Sequence, residues 1–598
     1  MPAKNVAGAR SEVEIFTPMR HFKIAIILSC MLSGAAFAQC NFAPPASAGV
    51  LNYSFEPDIF ADKLALRVTL EFNSGRSGKT SLILPSEWAG QKEAYKSVTE
   101  LAASPGTNLK ATKDPTKREV RSRPNVPVRI SYVLVKQWSG PLDTKTRFYA
   151  DLSPSYFHLI GITSLVHPKL SGFTPVEVHF DWSKLPKDWS LATSFADERC
   201  QSFQGNWYDA LNSLFVGGDY RIYRGVIAGN ALILAIRGTW SFSDQEWTNR
   251  ISGIVEFQRT FWHDNNFPYF LITLTPLDFD HGSSGGTALT NAFMEHLPRL
   301  DTMSQAILNQ ISHEEFHSWN PYRIGQMPDT EEAVNWFSEG FTRYYEALML
   351  CRTGWLAFPN YVDTFNLNLR NYALNDAKNV PLKEFVRSRR ADKSRFSGLE
   401  YQRGDVIAAW LDVTIRAQSH GRSTLDDLMF FLARQNAEHK RKHGKPLFIS
   451  NKRFFKAAGK YVGSTSLTQL RRYVEYGGEI DMPRNALGPC AESRLESISR
   501  FELGFDRSSV DAEPHKVVGL KQDSEAYKAG LRDGQQLIGW SINNDDSTKQ
   551  VRLTIKTDSG RQVITYYPQG KKVPVQQFVL DLSAYNAKPE MCAATFWR

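Results

Sequence analysis

Leu64, Leu66, Val68, Leu70 and Phe72 occupy every second position of their segment. Val126, Val128, Ile130, Tyr132 and Leu134 do the same, and so do Val176, Val178, Phe180 and Trp182. A period of two turns one face of an extended segment to a core and the other to water, so these runs predict half-buried strands. Polar and proline-bearing stretches separate them, and the charged stretch Thr107–Arg123 reads as a loop. The pattern over residues 40–200 predicts an all-β, sandwich-like domain.

From about residue 205 the period becomes mixed. Leu232–Ile236 and Tyr269–Thr275 read as strands on either side of a helix over Asp244–Trp262. A glycine-rich loop follows at 281–291 and leads into a short extended segment. Beyond it, to about residue 480, apolar residues recur at helical spacing. Met303, Ala306, Ile307 and Ile311 mark a helix within Asp301–Trp319. A second runs from Glu331 to about Arg352, with Asp329 and Thr330 as cap candidates and Gly354 as its stop. A third, from Gln402 to about Ser419, carries Val406, Ile407, Trp410, Leu411 and Ile415 on one face. The last hundred residues change again, with a strand expected at Lys516–Leu520 and a strand pair across Asp558–Gly560. The length of 598 residues suits three or four domains.

Composition narrows the functional classes. Hydrophobic residues make up 42% and charged residues 22%, ordinary for a globular protein with ample core, and the net charge is +9. The basic residues are scattered apart from the run at 439–445, which reads as a solvated helix end. No nucleic-acid module is recognisable. Arg20, His21 and Lys23 precede an apolar run from Ile24 to Ala38 that ends in Ala-Phe-Ala, the form of an export signal with its cleavage site. Met19 is a natural start for such a peptide, so residues 1–18 read as an over-extended gene start. The run is too short for a stable membrane anchor. The expected location is periplasmic or secreted. A lipoprotein reading would acylate Cys40, although Gln39 stands where a small residue is expected. Five cysteines remain after cleavage (Cys40, Cys200, Cys351, Cys490, Cys592), so at least one is unpaired and the connectivity is open.

The candidate chemistry lies in His-Glu-Glu-Phe-His at 313–317 and in Glu339, twenty-two residues past the second histidine. Histidines four apart on a helix stand on one face and can share a metal ion. Glu314 beside them is placed to take a proton from the metal's water. Glu339, set among Trp336, Phe337, Phe341 and Tyr344, is a carboxylate in aromatic surroundings that needs a partner. Together they form a His-His-Glu set for one zinc ion per chain, with an open fourth position.

These motifs resemble the glycyl aminopeptidase family of gluzincin metallopeptidases, and more distantly aminopeptidase N. The matching residues are His-Glu-Glu-Phe-His-Ser-Trp-Asn at 313–320, Trp-Phe-Ser-Glu-Gly-Phe-Thr-Arg-Tyr-Tyr at 336–345 and Tyr-Gln-Arg-Gly at 401–404. The resemblance implies a multidomain chain. Its parts would be a signal peptide at 1–38, an N-terminal β domain at 39–203, a thermolysin-like α+β, mainly helical catalytic domain at 204–494 and a PDZ-like, β-rich domain at 495–598. It makes His313, His317 and Glu339 the zinc ligands, Glu314 the general base and Tyr401 the hydrogen-bond donor to the tetrahedral intermediate. The implied activity is hydrolysis of peptide or protein substrates, near N-termini and at small residues such as Gly or Ala.

Two departures keep other readings open. Aminopeptidases of this clan place a glutamate after the glycines of an edge segment to hold the substrate's amine. Here the segment is Gly285-Gly286-Thr287-Ala288-Leu289-Thr290, with no acid at that place, and Glu295 comes later. Gly285, Gly286 and Thr287 can still pair with a substrate backbone. A zinc endopeptidase or oligopeptidase without an amine clamp is therefore an alternative, and a catalytically silent PDZ-bearing binding protein is a third reading. The PDZ resemblance rests on Glu-Leu-Gly-Phe at 502–505 and on Ser524–Ile538. Between Ile542 and Val551 there is little room for the second helix of a PDZ groove.

Overall fold

The computed structural model describes residues 40–593 apart from 61–62, 268, 390, 393–394 and 544–545. The expected export signal at 1–38 lies outside the described residues. The chain divides into two compact units, one up to Ser318 and one from Trp319 onward.

In the first unit the alternating segments become neighbours in a six-stranded sheet. Its order is Cys200–Asn206, Pro175–Asp181, Val50–Phe60, Lys63–Asn73, Pro127–Leu134, Val98–Ala103. The register sets Leu66 opposite Leu134, Val68 opposite Tyr132 and Leu70 opposite Ile130, so each inward apolar residue meets another. Phe55 stacks on Trp182 at 3.8 Å between ring centroids. The expected loop at Thr107–Arg123 is instead a hairpin, with strands Asn108–Ala111 and Lys117–Arg121. Charge hides its alternation, but Leu109 pairs with buried Val120, and Asp114 closes the turn by accepting from the Thr116 amide.

A five-stranded sheet follows, in the order Arg221–Ile227, Asn230–Ile236, Tyr269–Pro276, Ala292–Leu297, Gly285–Leu289. The helix Asp244–Trp262 connects its first parallel pair, as βαβ geometry requires, and Ser243 caps it by accepting from the Glu246 amide. The short extended segment expected after the glycine-rich loop is the strand Ala292–Leu297, buried on both faces, whereas part of the expected loop is itself a strand, Gly285–Leu289. This glycine-bearing strand pairs with Ala292–Leu297 antiparallel and forms an edge of the sheet.

The second unit is helical up to Tyr476. The segment expected as one helix from Glu331 is a 3-10 turn over Glu331–Ala333 followed, after Val334, by the helix Asn335–Arg352. The helix Leu399–Gln418 starts three residues earlier than its apolar face indicated, so Tyr401 sits in its first turn rather than before it. These two helices cross at glycine on glycine. A Cβ on Gly404 would lie 2.0 Å from the Trp336 carbonyl oxygen and 2.6 Å from the Gly340 Cα. Around the crossing, buried Asp412 accepts from Tyr344 and Arg416, and Asp426 accepts from Tyr345 and Arg352. The basic run ends the helix Leu425–His443, with Gly444 at positive φ as its cap.

The C-terminal segment has its own core of Leu503, Phe505, Val517, Leu531, Leu537, Leu553 and Ile564. Strands Leu537–Ser541, Val551–Thr557 and Gly560–Tyr566 form one sheet, and a long ribbon pairs Ala491–Phe501 with Gln569–Leu580. Asn366 stitches this ribbon to the helix Phe358–Leu374 by bonding both the amide and the carbonyl of Phe578. The strand expected at Lys516–Leu520 is reduced to one bridge, Lys516 to Gln536, because the chain turns at Gly519. No helix occurs among the described residues between Ser541 and Val551.

Two disulfides join Cys40 to Cys200 and Cys490 to Cys592, and Cys351 is a buried free thiol. The first bond removes the Cys40 thiol that the lipoprotein reading needed. Among the described residues no helix is long and apolar enough to cross a membrane.

Candidate metal centre

The histidine motif ends the helix Gln305–Phe316, whose Ser304 cap accepts from the Ile307 amide. His317 is the C-terminal cap residue and keeps helical geometry, with its amide bonded to the His313 carbonyl, so the i, i+4 spacing is realised. The two rings lie 4.7 Å apart at 90°.

One face of this helix is fixed against Asp244–Trp262. Gln258 Nε2 donates to the Ser312 carbonyl at 2.8 Å and to its hydroxyl at 3.1 Å, and Trp262 packs on Phe316. Glu315 points into the same packing and is buried. Burial pushes its carboxyl up to about 8, against the opposing pull of Arg259. The opposite face carries Gln310, His313, Glu314 and His317.

His313, His317 and Glu339 come together: one donor atom from each lies within 4.8 Å of the others. Glu339 and His317 are half-buried, and His313 is 8% exposed. A tetrahedral ion at about 2.1 Å from each donor would hold them about 3.4 Å apart, so two imidazoles and a carboxylate in this arrangement fit zinc with small side-chain adjustments. Asn320 anchors the chain between the histidines and Glu339. It is fully buried, and its Nδ2 lies within hydrogen-bonding distance of the Phe337 and Ser338 carbonyls and the Thr342 hydroxyl.

The glycine strand reaches the same helix face. A Cβ on Gly286 would lie 2.8 Å from Glu295 Oε2 and 3.3 Å from Glu314 Cγ, so only glycine leaves room for both acids. Gly286 pairs with Glu295 across the hairpin, which brings this acid to the site from the neighbouring strand. Glu295 is 0% exposed, however, enclosed by Gly286, Glu314 and Gln310. Gln310 Nε2 donates to its oxygens at 3.0 and 3.1 Å. Burial, and then the charge of Glu314, push the Glu295 carboxyl well above its usual range, while Arg147 opposes them. Arg147 lies against the other face of the strand, its guanidinium filling the place of a Gly285 side chain. Thr287 is half-buried on the same edge.

Sequence reasoning missed Gln310, Arg147 and the reach of Glu295. Gln310 was findable, being one turn before Glu314 on the same face. The other two depend on hairpin register and on a tertiary contact.

No curated protein matches the chain. Among solved structures, an aminopeptidase N family protein from Idiomarina loihiensis superposes with a TM-score of 0.67 at 17% identity, covering 89% of this chain and 98% of its own. That likeness is one of fold. An M1 zinc metallopeptidase from Deinococcus radiodurans matches at 14% identity and a TM-score of 0.44, over 73% of this chain and 96% of its own, too distant to carry an argument. Residues 306–384, which hold both histidines, Glu314 and Glu339, match the family model of the M61 glycyl aminopeptidases, so the resemblance read from the motifs stands and the chain is similar to zinc aminopeptidases where its candidate ligands lie.

Proposed function

We propose that the chain is an exported zinc metallopeptidase that hydrolyses peptide bonds, with His313, His317 and Glu339 as ligands of one ion. The convergence of these three donors beside Glu314 carries the reading. Zinc bound there supplies a Lewis acid that lowers the pKa of its water to about 7. Glu314 takes the proton at its carboxylate and returns it to the leaving amine. The Tyr401 hydroxyl donates to the carbonyl oxygen as charge develops, which favours the transition state over the substrate. Strand Gly285–Leu289 offers its edge to the substrate backbone, and Gly286 keeps that edge low next to Glu314. The signal sequence and two disulfides support an oxidising, extracytoplasmic compartment. The C-terminal module reads as a PDZ-like docking domain without its second groove wall.

Aminopeptidase action at small N-terminal residues is the first reading, on the family match. One observation favours the second, an endopeptidase or oligopeptidase: the acid nearest the glycine edge is fully enclosed, so an incoming amine meets it only if Gln310 or Glu314 moves. Cleavage of a free peptide and its N-acetylated form separates the two, since equal cleavage of the blocked peptide excludes an amine clamp. Glu314→Gln should lower kcat about 10²–10⁴-fold while zinc is retained. Undiminished activity in that variant removes Glu314 from the role of base, and purified protein with neither stoichiometric zinc nor peptidase activity leaves a silent binding protein.

A further inference from the structure

The helix Asn335–Arg352 is buried nearly all round. Over its first nine residues only Asn335, Glu339 and Arg343 are open to solvent, and they stand at i, i+4 and i+8. One stripe of this helix is therefore partly exposed, and the candidate ligand Glu339 occupies its middle. The next group along it is a guanidinium.

Arg343 is half-buried on this partly exposed stripe. Its side chain is 37% exposed, and its ion pair with Glu346 is long, at 3.5 Å. Glu346 and Asp405 face it with negative charge, and Tyr401 is the third group in its field. Burial pushes the Asp405 carboxyl up to about 8, so at neutral pH that group contributes only part of a charge. The close crossing at Gly340 and Gly404 explains why Tyr401 is near. The two helices touch at backbone distance, one residue past Glu339 and three past Tyr401.

We propose that Arg343 forms a subsite for a carboxylate of the substrate, beside the carbonyl that Tyr401 and the metal address. This deepens the peptidase reading and rests on it. The chemistry suits the role, because a guanidinium fork binds a carboxylate through two parallel hydrogen bonds. The reach suits it too. Arg343 lies four residues, about 6 Å of helix rise, from Glu339. Successive Cα atoms of a peptide are about 3.8 Å apart, so a carboxylate one or two residues past the scissile carbonyl spans that offset. Two sources share this chemistry: the C-terminal carboxylate of a short peptide, and an acidic side chain just beyond the scissile bond.

The test compares Gly-Ala, Gly-Ala amide and Gly-Asp amide, each with wild type, Arg343→Met and Arg343→Lys. Hydrolysis is followed with the zinc-loaded full chain, and equilibrium binding with zinc-loaded Glu314→Gln in each background. Wild type should prefer a carboxylate-bearing peptide, Gly-Ala or Gly-Asp amide, over Gly-Ala amide by tenfold or more, carried in KM. The ratio should fall to within twofold in Arg343→Met and stay intermediate in Arg343→Lys. Recovery of the preference with Gly-Asp amide assigns a side-chain carboxylate, and its absence assigns the C-terminus. Equal handling of Gly-Ala, its amide and Gly-Asp amide by wild type, a carboxylate preference that survives Arg343→Met, or no binding of any of the three overturns the proposal. Peptide hydrolysis with equal ratios would overturn this subsite alone and leave the peptidase reading intact.

Discussion

Gly404→Ala isolates the contact that holds Tyr401 next to the Glu339 helix. In an ordinary helix interior the change would stabilise by about 1 kcal/mol, since alanine is the better helix former. Here the new methyl would lie 2.0 Å from the Trp336 carbonyl oxygen, whereas ordinary contact begins at 3.4 Å, so the helices must open by about 1.4 Å. Both obstructing groups are backbone and cannot rotate away. Overpacking of this kind costs about 1–3 kcal/mol, which offsets the propensity gain and leaves a net loss of up to about 2 kcal/mol. Activity should suffer more than stability. Tyr401 is three residues before the crossing and Glu339 one residue before Gly340, so separation displaces both, and a misplacement of about 1 Å can cost about 100-fold in rate. The assay is kcat/KM on a cleaved peptide beside Tm and zinc content. A variant with parental Tm and parental kcat/KM would show that the crossing does not position the site.

Other perturbations address other parts. His167 is buried, bonded to the Pro168 carbonyl and packed on Trp207, and burial lowers its pKa to about 4. The unfolded chain then binds the extra proton between about pH 6.5 and 4, so this residue's contribution is present above 6.5 and is lost as pH falls. About 2.5 pKa units correspond to about 3 kcal/mol. His167→Gln should therefore close most of that gap to wild type between pH 7 and pH 4 in denaturant titrations, and parallel pH profiles would contradict the assignment. Reduction of Cys490–Cys592 releases a closed loop whose constraint is worth roughly 4–5 kcal/mol in the chain-entropy account. Cleavage by an added protease should then appear first within residues 491–591, and an unchanged pattern after reduction would count against it.

How much of this was legible depended on how far apart the interacting residues lie in sequence. The helix Asp244–Trp262 was readable to the residue, because its cap and its period are local signals. The candidate metal donors were readable because two share a helix face and the third lies in a distinctive aromatic segment. Gly285–Leu289 was not, since a strand that opens on two glycines reads as loop. The hairpin at 108–121 was hidden by charge, with only Leu109 and Val120 to mark its inner face. Glu295 needed the register of a hairpin, and Arg343 needed to be seen as part of a stripe defined by what buries the rest of its helix.

Those last two residues bear on which end of a peptide the site reads. A charge selects a substrate terminus only if the terminus can touch it while losing little water. Glu295 has the chemistry for an amine but is enclosed, and the push on its carboxyl already reflects the cost of holding charge beside Glu314. Arg343 has the chemistry for a carboxylate and is half-buried, with an ion pair to Glu346 at 3.5 Å and a buried acid as competitors. Accessibility therefore weighs toward the carboxyl side of the scissile bond. An amine preference requires Gln310 to release Glu295, which Gln310→Ala would promote. If that variant gains discrimination between free and N-acetylated peptides, the amine site exists and is normally closed. If it gains none, Glu295 offers no amine site and only supports Glu314.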